Sequence, residues 1–386
     1  MSKLTDHLPA DWRDGVFVGR VQLAEGPTPI LVRAGRMIDV SRGAATTADL
    51  LALSNVASVE ARDMGDLEDF AFVPAWEDRD PAAPQLLSPL DLQCVKASGV
   101  TFAVSAVERV IEERARGDWA KAQDIRAALA ERVGADLSAV KPGSEQAAVL
   151  KDALIADGLW SQYLEVAIGK DAEIFTKAPV LSSVGWGDWV GVRSDSHWNN
   201  PEPEVVIVCD PTGRPVGAAL GNDVNLRDIE GRSALLLGKA KDNNASASVG
   251  PLIRLFDDGF TMDDVRSAII RLEVSGDDGF VMTGSSSMSL ISRDPLDLIG
   301  QTIGASHQYP DGFALYLGTM FAPIDDRDAP GKGFTHKAGD VVRVSSERLG
   351  VLENKVTSCE QAPPWTLGVS GLMRNLAGRG LLGAGA

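Results

Sequence analysis

The chain is short of cysteine and histidine and has no excess of positive charge. Its three cysteines, Cys94, Cys209 and Cys359, are odd in number and far apart. That fits neither a disulfide framework nor a zinc-binding spacing. Their surroundings, LQCVK and VVIVCD, are largely apolar, so they read as reduced, mostly buried thiols of a cytoplasmic protein. Lys and Arg number 37 against 54 Asp and Glu, a net charge of −17. So acidic a chain lacks the basic face that nucleic acid or an anionic membrane surface needs, and neither is expected as a partner. No apolar run approaches the length of a membrane span. The opening MSKLTDHLPADWRDG lacks the apolar core of a signal peptide, and no repeat recurs at a fixed period.

What is present is an ordinary globular composition, 44% hydrophobic and 24% charged, over 386 residues. That length suits two domains. Residues 16–40 read as a β-hairpin, VFVGRVQL and ILVRAGRMIDV around GPTP. TTADLLALSN reads as a short helix opened by threonine, and LQCVKASGVTF as a strand and loop. SAVERVIEERARGD carries Val107, Val110 and Ile111 at helical spacing. AQDIRAALAERVG continues that period, and KPGSEQAAVLKDALIADGLW makes another helix ended by Gly158. From about residue 172 the period becomes that of strands, in IFTKAPVLSSVGWGDWVGV, EVVIVCD, PVGAALGND, IIRLEVSG, GFALYLGTMFAP and DVVRVSSERLGVLENKV. The expected fold is α+β: a smaller N-terminal α/β domain over 1–165, with a helical insert and lid, and a β-rich rolled catalytic domain over 166–386. The closing GLLGAGA reads as a loose tail.

One stretch, HWNNPEPEVVIVCD, poses a chemical question. Its apolar run Val205–Val208 makes a buried strand, yet the strand begins with Glu202 and Glu204. Residues two apart share a face, so two carboxylates lie side by side at the edge of an apolar interior. Like charges there repel. The turn PTGRP returns the chain as PVGAALGND. A hairpin centred between Thr212 and Gly213 pairs Glu202 with Asp223. Three hard oxygen donors, Glu202, Glu204 and Asp223, then converge at one open end, a set suited to Mg²⁺, with Mn²⁺ as the alternative ion. Solvated carboxylates at a strand end are the plain alternative.

At these residues the sequence resembles the fumarylacetoacetate hydrolase family. The family's Glu-x-Glu is Glu202-Pro203-Glu204. Its Asn-Asp-x-x-x-Arg-Asp runs from Asn222 to Asp228, and its lysine before Gly-Pro is Lys241 in KDNNASASVGP. Gly318-Thr319, Gly339-Asp340 and Asn354-Lys355-Val356 complete the ordered set, over roughly 170–360. FTKAPVLSSVG, GNDVNLRDIEGRSALLL and the helical run after SGVTF are similar to the branch of 2-keto-3-deoxy sugar-acid dehydratases. Hydrolytic members carry a histidine and a glutamate three residues apart on a lid. Here Ser105 and Glu108 hold those positions, and the chain has only four histidines.

The resemblance implies a Mg²⁺-dependent hydro-lyase that converts a 2-keto-3-deoxy-pentonate, 2-keto-3-deoxy-D-xylonate first, to 2,5-dioxopentanoate in pentose catabolism. The partner is then a small 2-keto sugar acid, and the assembly a homo-oligomer, dimer or tetramer. Lys241 stands beside the chelated substrate, as base if its pKa falls or as a cation holding the enolate. Glu108 is the lid acid for the leaving hydroxyl. Ser98, Gly99 and Thr319 hydrogen-bond substrate oxygens. Arg227 binds the substrate carboxylate or braces a neighbouring aspartate. Two rival readings use the same residues: a metal-dependent acylpyruvate-type C–C hydrolase or decarboxylase, and a non-catalytic metal-binding scaffold.

Overall fold

A computed structural model describes residues 3–80, 82–116, 118, 121–122, 125, 140–156, 158, 160–321, 323, 325–329 and 333–382. Most of the expected helical run AQDIRAALAERVG, and the closing GAGA, lie outside the described residues. The architecture is α+β and dominated by two sheets, one of eleven strands and one of five.

The larger sheet is built around the hairpin of Pro203–Cys209 and Pro215–Asp223. Its register pairs Pro203 with Asn222 and Glu204 with Gly221. The Asp223 N–H donates to the Glu202 carbonyl at 3.0 Å. This is the register expected from the PTGRP turn. On one side of the hairpin Phe313–Tyr316 runs antiparallel to Pro203–Cys209. Cys94–Gly99 then lies parallel to Phe313–Tyr316, and Glu173–Ala178 closes that side. On the other side Ala247–Leu255 follows, then Val16–Leu23, Gly26–Arg33, Arg36–Asp39 and Arg62–Asp66. The large sheet thus joins strands from both sides of residue 165. The smaller sheet runs Val281–Ser287, Ile269–Ser275, Val341–Ser346, Gly350–Ser358, Trp189–Val192. One apolar core takes Val205, Ile207 and Leu315 from the large sheet and Leu272, Val274 and Val344 from the small one. The two faces therefore pack on each other, as layered sheets do.

Several elements depart from the sequence expectation. Residues 16–40 form three strands instead of two, because GPTP is the start of a strand and Ala34-Gly35, both at positive φ, make a second tight turn. Ala247–Leu255 is a fully buried central strand although it contains Gly250-Pro251. The helix Gln162–Ile168, capped by Ser161, and the C-terminal helix Val369–Gly378 were not anticipated. The short Thr47–Ala52 helix is capped as expected, with Thr46 Oγ1 accepting from the Asp49 N–H at 2.9 Å. Among the described residues no helix is long and apolar enough to cross a membrane.

Candidate active site

Strand direction brings the chemistry to one end of the large sheet. Pro203–Cys209 starts there, Pro215–Asp223 ends there, and so do Phe313–Tyr316 and Cys94–Gly99, while Glu173–Ala178 begins there. Glu202, Glu204 and Asp223 are all buried, and each offers an oxygen within 4.8 Å of the others'. Three hard donors at that separation on a fixed ladder fit a magnesium ion. The Gly318 N–H donates to Glu204 Oε2 at 2.7 Å and the Thr319 hydroxyl to Oε1 at 3.2 Å. Gly318 takes a φ of 103°, and a Cβ there would meet the Thr101 hydroxyl, so this turn requires glycine.

Lysines flank the carboxylates. Lys241, at the end of the helix Leu237–Lys241, binds Glu202 and lies 3.1 Å from Asp223 Oδ2. Burial would lower its pKa, but Asp223, Glu202 and Glu230 outweigh burial and hold it protonated. The glutamates are driven apart. Burial opposes ionisation of Glu202, yet Lys241 and Arg109 hold its pKa below the usual range. Glu204 is pushed well up by burial, then by Asp223 and Glu202.

The helix Ala103–Ala115 covers this end. From it Arg109 reaches Glu202 Oε1 at 2.5 Å, Glu112 at 2.6 Å and Glu230 at 2.8 Å. Burial costs the guanidinium, but Glu112, Glu230 and Glu202 raise its pKa well above the ordinary value. Glu112 and Glu108 both hold Arg227, at 2.6 and 3.1 Å. Arg227 also donates to the Pro323 carbonyl at 3.0 Å and lies 4.4 Å over the Trp198 ring.

A cavity of about 10 Å³ remains between cover and floor. Ser98, Gly99, Thr319, Glu202, Asp223 and Lys241 line it, so the structure gathers six of the nine site residues expected from sequence. Glu204 lies just beneath, through Gly318 and Thr319. Glu108 and Arg227 are placed beside it, paired with each other. The Ser98 hydroxyl is buried and makes no hydrogen bond among the described residues. No histidine is among the lining residues; the position expected for one on the lid, Ser105, lines the cavity as serine.

Sequence reasoning missed Arg109, Glu230 and Glu173, which also line the cavity. Glu173 opens its strand, and burial, with Glu230 adding, pushes its carboxyl up to about 7. Gly99 makes its place: a Cβ on Gly99 would lie 2.0 Å from Glu173 Oε2. The available signals were Glu173 two residues before Phe175 on one strand face, and Arg109 four residues after Ser105 on one helix face.

No family model matches the chain. A probable 2-keto-3-deoxyxylonate dehydratase of Haloferax volcanii is 27% identical over 274 residues, 64% of this chain and 89% of that protein. A 2-dehydro-3-deoxy-D-arabinonate dehydratase of Saccharolobus solfataricus is 32% identical over 183 residues, 47% of this chain and 57% of that protein. Among solved structures, a 2-keto-3-deoxy-D-arabinonate dehydratase complexed with magnesium and 2,5-dioxopentanoate superposes with a TM-score of 0.59 at 21% identity, covering 89% of this chain and 98% of that one. A fumarylacetoacetate hydrolase from Exiguobacterium antarcticum gives 0.54 at 17% identity, covering 89% and 99%. The chain is therefore similar in sequence to two keto-deoxy-pentonate dehydratases and shares its fold with a third and with a fumarylacetoacetate hydrolase.

Proposed function

We propose that the chain is a magnesium-dependent hydro-lyase that converts a 2-keto-3-deoxy-pentonate, 2-keto-3-deoxy-D-xylonate first, to 2,5-dioxopentanoate. The observation that carries this reading is the buried trio Glu202, Glu204 and Asp223 with Lys241 against two of them. The sequence relatives support the substrate class. The lack of a lining histidine among the described residues favours elimination over the hydrolase reading, which needs a group to activate water.

Glu202, Glu204 and Asp223 would hold the ion, and the chemistry it supplies is polarisation of the 2-keto oxygen, which acidifies the C3 protons. Lys241, held charged by its carboxylate neighbours, faces the oxygen on which negative charge develops. Glu173, near neutrality at about 7, is the proton carrier. It takes a proton from C3 and returns it to the departing C4 hydroxyl, which leaves as water. The 5-hydroxy enone that results loses a C5 proton and gains one at C3. Its C5 enol then tautomerises to the aldehyde. Arg109, Ser98 and Thr319 offer donors to the substrate's carboxylate and hydroxyl oxygens. Glu108, which pairs with Arg227, fits a brace of the cover better than the acid.

The three free cysteines accord with a cytoplasmic location, and we extend the reading to a homo-oligomer of two or four chains. The test is a coupled assay with a semialdehyde dehydrogenase, with Mg²⁺ and then with EDTA. Product that needs Mg²⁺ and is lost in Glu204→Ala supports the reading. No product from a protein that binds Mg²⁺ would sink this substrate and return acylpyruvates to contention.

A further inference from the structure

Lys177 is wholly buried and belongs to no part of the reaction scheme above. It is the extra residue of a β-bulge. Thr176 pairs with Lys96 and Ala178 with Val95, leaving Lys177 without a partner across the ladder. Bulges re-aim side chains, and this one turns the lysine under the carboxylates. Its ammonium lies 2.8 Å from Asp223 Oδ1 and 3.1 Å from the Val224 carbonyl. It lies 2.5 Å from the Lys241 carbonyl and 3.3 Å from Ser246 Oγ.

These partners sit on three separate segments: the end of the Pro215–Asp223 strand, the end of the Leu237–Lys241 helix, and the approach to Ala247–Leu255. The Lys241 carbonyl is one of the terminal acceptors that a helix cannot satisfy internally. Asp223 is held by both oxygens, Oδ1 by Lys177 and Oδ2 by Lys241. We propose that Lys177 is a positioning residue, which orients Asp223 toward the metal and ties down the helix end that carries Lys241. This rests on the proposed role of Glu202, Glu204 and Asp223 as metal ligands.

The sign of one measurement separates positioning from mere charge balance. A cation that only balances charge opposes a divalent ion, so its removal would tighten metal binding. Losing an orienting contact to a ligand loosens it, typically by about 10- to 100-fold. Mg²⁺ is titrated calorimetrically into Lys177→Met and wild type without substrate, with Mn²⁺ binding followed by electron paramagnetic resonance. Circular dichroism checks folding. The expected result is weaker binding by ~10-fold or more, with kcat lowered at saturating Mg²⁺ and KM changed less, because Lys241 is also displaced. Equal or tighter binding in the folded variant overturns the proposal. Lys177→Gln keeps N–H donors for the two carbonyls without the charge and decides by the same criterion if Lys177→Met does not fold. Absence of Mg²⁺ binding by the wild type would instead overturn the proposed function itself.

Discussion

The floor and the cover of the site are built on different principles. The floor is a ladder: Glu204 and Asp223 sit on two strands, with Glu202 immediately before the first, and their register continues without a shift from Pro203 through Val208. Their separation is set by the backbone. The cover is a single helix whose hold on the floor runs through charges, Arg109 to Glu202 and Glu230, and Glu108 and Glu112 to Arg227. A ladder keeps geometry to a fraction of an ångström, whereas ion pairs can be exchanged for other charges. The remaining cavity of about 10 Å³ holds roughly one water molecule, so on the proposed reading a five-carbon acid enters only when the cover gives way. On the proposed reading, the difference gives fixed geometry to the groups that would bind the ion and exchangeable contacts to those that would meet the substrate.

The sharpest way to break the comparison is to disturb the floor where it meets Glu173, the proposed proton carrier. Gly99→Ala puts a Cβ 2.0 Å from Glu173 Oε2 and must move that carboxyl. A lost general acid–base is worth roughly 10²- to 10⁴-fold in rate, so kcat should fall by that order while Mg²⁺ affinity stays within about twofold. Steady-state kinetics and calorimetry on the same preparation check it. Unchanged kcat would remove Glu173 from the chemistry.

Arg109→Met breaks the cover. It leaves Glu112, Glu202 and Glu230 without their shared cation, and removing one partner of a buried pair costs about 3–5 kcal/mol. In EDTA the variant should unfold at a clearly lower temperature than wild type. Added Mg²⁺ should recover more of the loss than it adds to wild type, because the ion no longer competes with the guanidinium for Glu202. An unaltered midpoint in EDTA would mean that the cover is held by its apolar face alone.

The two halves were also unequally legible. PTGRP, the alternation in EVVIVCD and PVGAALGND, and the placement of Glu202 and Glu204 gave the floor from local pattern, down to the register. The Ala103–Ala115 helix was visible through Val107, Val110 and Ile111, but periodicity says nothing of which charged residue crosses to a strand 93 positions away, as Arg109 does to Glu202. Lys177 was hidden for another reason. A bulge breaks the two-residue alternation on which strand reading depends, so IFTKAP showed a strand without showing that Lys177 turns inward. The central strand Ala247–Leu255 went unread because proline ordinarily marks an edge, and here tertiary packing overrides that rule.

The smallest expected effect tests whether Glu173 is as buried by cover and floor together as its shifted pKa says. Its folded value of about 7 stands above the ordinary 4.5, so the fold favours the protonated form. That contribution to stability is fully present below about pH 4.5 and is lost as the pH rises through 7. Glu173→Gln cannot titrate and keeps a neutral side chain of the same size. Thermal unfolding in EDTA from pH 5 to 8 should therefore show wild type losing on the order of 2 kcal/mol relative to Glu173→Gln, with the steepest change near pH 6, between the unfolded and folded pKa values. Parallel curves would place Glu173 in water instead of beneath the cover, and the near-neutral proton carrier would have to be sought elsewhere among the lining groups. A gap of that size that shrinks in Arg109→Met would tie the shift to the cover, since loosening the helix admits the solvent that its ion pairs keep out.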